Sequence, residues 1–172
     1  MSALPKLLIT TKNNRGKKCI LEILNKLLPY DSTANAIEVI KNVLVVNTIL
    51  DPNLAFGLCI SGPPSCAYKI YPIHLVVSDK NLQNIIRNIK KFLLDNYKNI
   101  KKFYVECFER GYKIGCRSLE IGLGLALREF LSVDYRYPDI KVSINAIPDL
   151  ILVSFIKEGQ EKVSVKSPNL NI

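Results

Sequence analysis

Apolar positions in the first half of the chain fall into short runs broken by polar turns. KLLIT (6–10) reads as a strand, and the polar TKNNRG separates it from KKCILEILNKLL. In that second run Ile20, Ile23, Leu24, Leu27 and Leu28 recur at the spacing of one helical face, and Pro29 stops the helix. AIEVIKNVLVVNTIL is rich in β-branched residues and predicts two strands, or one bent strand, with Lys41-Asn42 as the turn. Asp51 as N-cap and Pro52 at the first helical position open a short helix in DPNLAFGLCI. SGPPSC is a loop, and AYKIYPIHLVV returns to strand, with Pro72 requiring an edge or a bulge.

From Ser78 the rhythm lengthens. Leu82, Ile85, Ile86, Ile89, Phe92, Leu93, Tyr97 and Ile100 form one stripe of a long helix, for which Ser78 or Asp79 is the expected cap. KKFYVECF is a strand, ERGYKIGCR a connection, and a further helix is expected over 119–131 with Ser118 as its N-cap. IKVSINAI, LILVSFI and EKVSVKS read as strands separated by turns at YPD, IPD and KEGQ. The class is therefore α+β, with a boundary near residue 78. Residues 1–77 have the β-α-β-β-α-β order of a ferredoxin-like domain, and residues 78–172 form a second α/β domain.

Composition narrows what such a protein does. Its 172 residues are 48% hydrophobic and 23% charged, enough to bury a core. No apolar run reaches the ~18 residues that cross a bilayer, and the start MSALPKLLITT lacks the plan of a signal peptide, so no membrane association and a cytoplasmic location are expected. Twenty-four Lys and Arg against fifteen Asp and Glu leave a net charge of +9, the excess a phosphate-rich partner requires. The five cysteines form no CxxC pair and His74 is the only histidine, which argues against a metal site. Most of the cysteines are expected to pack as small hydrophobes, with a Cys59–Cys66 disulfide left open.

Rival chemistries fare poorly. A glycine cradle for a nucleotide needs G-x-G-x-x-G between strand and helix, but Gly122-Leu123-Gly124 has no third glycine and lies inside the predicted helix, where packing on the sheet is the simpler role. His74 sits in an apolar strand with no carboxylate beside it, so no nucleophile–base pair is evident and no catalytic residue, cofactor or small-molecule substrate is expected. Glu106, Glu109 and Glu120 read as surface partners for Arg110, Lys113 and Arg117.

The cations, by contrast, are organised. Lys12, Arg15, Lys17 and Lys18 stand between a strand and a helix, beside asparagines that can donate to phosphate oxygens. Lys98, Lys101 and Lys102 close the long helix, where helix capping is as good an explanation as binding. Arg110, Lys113 and Arg117 precede a helix start whose N–H groups can themselves hold a phosphate. Tyr71, Tyr104 and Tyr112 lie among these charges; core packing is the better reading of Tyr104, and Tyr112, in a polar turn, is the best placed to stack on an unpaired base.

FYVECFERGYKIGCRSLEIGLGLALREFLSVDYRYPDIKVSINAI resembles the core of a THUMP domain, in which an Arg-Gly-x-Lys-like turn, a helix-capping Ser and a Pro-Asp turn follow one another. Arg110, Lys113, Ser118, Gly122 or Gly124, Pro138 and Asp139 fall on that pattern. LLITTKNNRGKKCILEIL resembles the opening of stand-alone THUMP proteins that assist tRNA cytidine acetylation. The resemblance implies a non-catalytic adaptor that holds the acceptor stem and 3′ end of tRNA for a modification enzyme supplied in trans, an acetyltransferase. The expected contacts are a basic surface of Lys12, Arg15, Lys17, Lys69, Arg110, Lys113 and Arg117, with Tyr112 and Ser118. The alternatives are a small nucleotide-binding enzyme using the Gly122–Gly124 region and a protein–protein scaffold.

Overall fold

The structure is a computed structural model and describes residues 2–163. Contacts divide the chain into two units: His74–Gln160, and the chain before it together with the segment that returns from Glu161. The division falls four residues before the boundary read from the sequence, because Leu75–Val77 pairs as a strand inside the second unit.

In the first unit β1 (Leu4–Thr11), α1 (Gly16–Leu27), β2 (Asn35–Ile40), β3 (Val43–Thr48), α2 (Pro52–Ile60) and β4 (Ala67–Pro72) follow in order. The sheet runs β2-β3-β1-β4, every pair antiparallel. Asn42, at φ 67°, makes the turn between β2 and β3, and β4 takes the sheet edge that Pro72 tolerates. Leu7, Ile9, Cys19, Ile23, Leu27, Leu44, Val46, Phe56 and Ile70 close the core between sheet and helices. Asp51 caps α2 as its sequence predicts, accepting the Asn53 and Leu54 N–H groups. Asp31 is a feature that pattern did not reveal. Almost fully buried, it accepts from the Thr33 hydroxyl (2.5 Å), the Thr48 hydroxyl (2.6 Å) and the Ile49 N–H (3.0 Å), tying the exit of α1 to the end of β3. Those bonds, the Thr33 hydroxyl first, hold its carboxyl far below the usual range.

The second unit comprises β5 (Leu75–Val77), α3 (Leu82–Asn96), β6 (Lys102–Glu109), α4 (Cys116–Leu127), β7 (Ser132–Val133), β8 (Ile140–Ile147) and β9 (Leu150–Ile156). Its sheet order is β5-β9-β8-β6-β7, with β6 parallel to β7 and β8 and the remaining pairs antiparallel. Ile85, Ile89 and Leu93 of α3 and Leu119, Leu123 and Leu127 of α4 pack over Phe103, Val142, Ile144 and Val153. The stripe expected of α3 is present, but its cap is Asn81, which accepts the Asn84 N–H, while Asp79 accepts the Asn81 N–H (2.8 Å). The helix ends at Asn96, so Lys98, Lys101 and Lys102 lie beyond it. The Lys101 and Lys102 N–H groups instead bond Asp139 Oδ2.

The strand expected over EKVSVKS begins with a bridge between Lys162 and Lys69, and its residues from Ser164 lie outside the described residues.

Candidate nucleic-acid interface

The polar run between β1 and α1 folds into a tight turn. Asn14 adopts φ 59°, the Arg15 N–H bonds the Lys12 carbonyl (3.1 Å), and the Lys12 N–H bonds the carbonyl of Cys66 (2.8 Å). This last bond brings the loop before β4 against the start of α1, and a Cys19–Cys66 disulfide joins the two covalently. Lys12, Arg15, Lys18, Ser65 and Cys66 thereby surround an open cleft of about 190 Å³. The three cations are exposed, and Arg15 at the N-cap offers no acceptor to the helix. An internal anion already faces the helix start, since the Glu38 carboxylate lies against Gly16 where any Cβ would collide with it. Long-range attraction for a polyanion therefore rests on the side chains of the cleft. Lys17 is exposed on the same helix but does not line the cleft, and half-buried Lys69 sits opposite Thr10 in the β4–β1 pairing. Ser65 and Cys66 complete a site of which the sequence showed only the cations. Their proximity to the cations depends on the β1–β4 pairing and the disulfide, which local pattern does not carry.

The second expected cluster is built differently. Arg110 donates from Nε to Asn145 Oδ1 (2.6 Å), its N–H bonds the Ala146 carbonyl (2.7 Å), and its guanidinium lies over the Phe108 ring at 4.9 Å. It is anchored to the sheet. Tyr112 is half-buried and packs with Ile114 against the core of its unit. Lys113 is exposed at the turn. Helix α4 begins at Cys116, three residues before the predicted start, with Gly115 as N-cap at φ 77°. Ser118 thus lies within the first turn and caps nothing. Ahead of the helix, the Glu109 carboxylate accepts the Ile114 N–H (2.7 Å) and the Gly115 N–H (3.4 Å), folding the connection back. Arg117 is exposed and lines a separate groove with Phe103 and Val105, which neither Arg110 nor Lys113 reaches.

The three carboxylates read as surface partners have other roles. Glu106 accepts from the Ser143 hydroxyl (2.7 Å) and pairs with buried Lys141 (3.3 Å), while Glu120 accepts the Cys107 N–H (3.1 Å). Tyr71 is fully buried, and Tyr104 is half-buried with its hydroxyl donating to Glu158 (2.5 Å). His74 Nδ1 accepts the Phe155 N–H (3.0 Å), a structural role. Four of the cysteines expected as buried thiols form disulfides, Cys19–Cys66 and Cys107–Cys116, leaving Cys59 free and buried with its thiol pushed up to about 12. Gly122 packs against Ile86 of α3 rather than on the sheet, an added Cβ falling 2.5 Å from Ile86 Cδ1. Among the described residues no group of three His, Cys, Asp or Glu could hold a metal ion, and no helix is long and apolar enough to cross a membrane.

No protein-family model and no curated protein matches this chain. Solved structures do. PH1313 from Pyrococcus horikoshii Ot3 superposes with a TM-score of 0.65 at 15% identity, over 94% of this chain and 55% of that one. TrmN from Thermus thermophilus gives 0.62 at 17% identity, over 92% and 46%. A 4-thiouridine synthetase, solved as an RNA complex with bound ATP, gives 0.58 at 17% identity, over 89% and 41%. The chain spans about half the length of these structures. At such identities the likeness is one of fold, and that fold is THUMP-like.

Proposed function

We propose that this chain is a non-catalytic tRNA-binding protein: a ferredoxin-like unit and a THUMP-like unit that hold the acceptor stem and 3′ end of tRNA for a separate modification enzyme, a tRNA cytidine acetyltransferase. One observation carries the RNA part of this proposal, the convergence of Lys12, Arg15 and Lys18 on a single open cleft in a chain of net charge +9. Cations so placed neutralise successive phosphates and release their counterions, which supplies affinity without reading sequence. Ser65 also lines the cleft, its hydroxyl donating to Glu22 Oε1 (3.4 Å). Exposed Lys113 adds a cation on the second unit. The likeness in fold to the 4-thiouridine synthetase of the RNA complex supports RNA as the polyanion. The resemblance of the ERGYKIGCRS stretch to THUMP domains supports tRNA, and the acetyltransferase follows from the resemblance of the N-terminal stretch.

Filter binding of tRNA, homopolymer RNA and duplex DNA across a series of salt concentrations tests the proposal. Neutralisation of ~6 phosphates on a duplex stem makes log K fall with log salt at a slope of about −5. Absence of tRNA binding at low salt, or an affinity indifferent to salt, refutes it.

A further inference from the structure

Helix α4 presents two faces. Leu119, Leu123 and Leu127 are buried in the core, whereas Ile121 and Leu125 are 51% and 57% exposed and line an open groove of about 360 Å³. Val133 and Tyr135 form the far wall, 49% and 73% exposed. Buried Phe103 floors it. Isolated exposed apolar residues are ordinary, but four converging on one concavity are the mark of a binding surface. Gly124 lines the groove with room beside it, since a Cβ there would meet only Val133 Cγ2, at 4.0 Å.

The groove also contains an unfinished sheet edge. β7 pairs with β6 only at Lys102 and Phe103, where the Lys101 and Phe103 carbonyls accept the Ser132 and Asp134 N–H groups. Asp134 then turns the chain away, its carboxylate accepting the Arg136 and Tyr137 N–H groups. Main-chain groups of alternate residues point to the same side of a strand, so those of Val105 face the groove. Glu120 takes the next outward N–H, that of Cys107. Of the charged side chains in the lining, Glu120 is thus committed inward, and Arg117 forms no ion pair among the described residues.

These features select the occupant. With Arg117 the one cation in its lining, the groove can neutralise little of a phosphate backbone, and two copies of a chain carrying +9 repel each other. An extended protein segment fits all three elements: its backbone meets Val105, apolar side chains at alternate positions fill the space beside Ile121 and Leu125, and a carboxylate meets Arg117. We propose that this groove is the docking site for an extended acidic and apolar segment of a partner protein, laid alongside β6. The inference stands on the groove and goes beyond the RNA-binding function.

The test is selection from a displayed library of random linear dodecapeptides on the full chain, followed by affinity measurement of the enriched peptides against Leu125→Ser, Gly124→Phe and Arg117→Glu. Expected are sequences alternating apolar residues with at least one Asp or Glu, bound at least tenfold more weakly by each variant. Leu125→Ser, at an exposed position, keeps the test valid if Gly124→Phe does not fold. No enrichment, basic sequences, or equal affinity for Leu125→Ser overturns the proposal. So does a loss of tRNA binding in Leu125→Ser, which would make the groove part of an RNA surface, or a wild-type dimer that Leu125→Ser dissociates. Failure of selection with tRNA binding intact removes the docking site alone, and selection without tRNA binding removes the RNA function alone.

Discussion

Replacing Lys12, Arg15 and Lys18 together with alanine strips the cleft beside α1 of its cations. Each phosphate neutralised on a duplex contributes about 0.9 to the salt slope, so three such contacts account for a change of about 2.7. At ~0.1 M salt, one decade below the 1 M reference, the same three contacts are worth about 2.7 decades of affinity, roughly 500-fold or ~3.7 kcal/mol. Filter binding of labelled tRNA at five or more potassium chloride concentrations gives both quantities at once. Lys17→Ala is the control, since Lys17 is exposed on the same helix outside the cleft, and its slope should move less. The melting temperature should stay where it is, because all three side chains are exposed and the main-chain bond from Lys12 to Cys66 survives truncation. A triple variant with an unchanged slope refutes phosphate contact at this cleft, whatever happens to the affinity. Equal slope changes for Lys17→Ala and for the cleft positions taken singly would reduce the site to diffuse charge.

Three further outcomes follow from the geometry. Arg110→Ala should destabilise the fold by about 1–3 kcal/mol in urea titration, because it strips buried Asn145 Oδ1 of its donor, whereas exposed Lys113→Ala should leave stability unchanged. Asp31, Asp79, Asp134 and Asp139 all have carboxyls held below the usual range by hydrogen bonds, so their stabilisation is complete above about pH 4. It is lost as pH falls through the lower folded values, and Asp31→Asn should flatten the drop in melting temperature between neutral and acid pH. Cys19→Ser with Cys66→Ser releases a loop spanning 47 positions and should cost about 4 kcal/mol, against about 2.5 kcal/mol for the 9-position loop of Cys107 and Cys116, read from denaturant midpoints under oxidising conditions.

Much of this molecule was legible along the chain, and what escaped has a common cause. The stripes of α1 and α3, the Asp51 cap and the strand runs report the burial of one face of each element, which periodicity encodes directly. The start of α4 escaped because a left-handed glycine precedes it and the Glu109 carboxylate folds the connection back, and neither has a period. Ser65 escaped because 47 positions divide it from Lys18 and only the pairing of β1 with β4 closes the gap. The Cys19–Cys66 disulfide was hidden for the same reason. Arg110 misled in the other direction: a charge in a polar turn reads as exposed, yet its bond to Asn145 and the ring of Phe108 hold it against the sheet.

The segment that returns from Glu161 has a consequence for the order in which the molecule can be assembled. The Ile70 N–H bonds the Glu161 carbonyl (2.9 Å), the Val163 N–H bonds the Tyr68 carbonyl (3.0 Å), and the Val163 side chain joins the core of the first unit. On a ribosome, therefore, the part synthesised first must wait for residue 163 before the flank of β4 is covered, while every strand from β5 to β9 has already emerged. The later-made unit can complete its sheet first, and the earlier-made one stays open to mispairing along β4 in the interval.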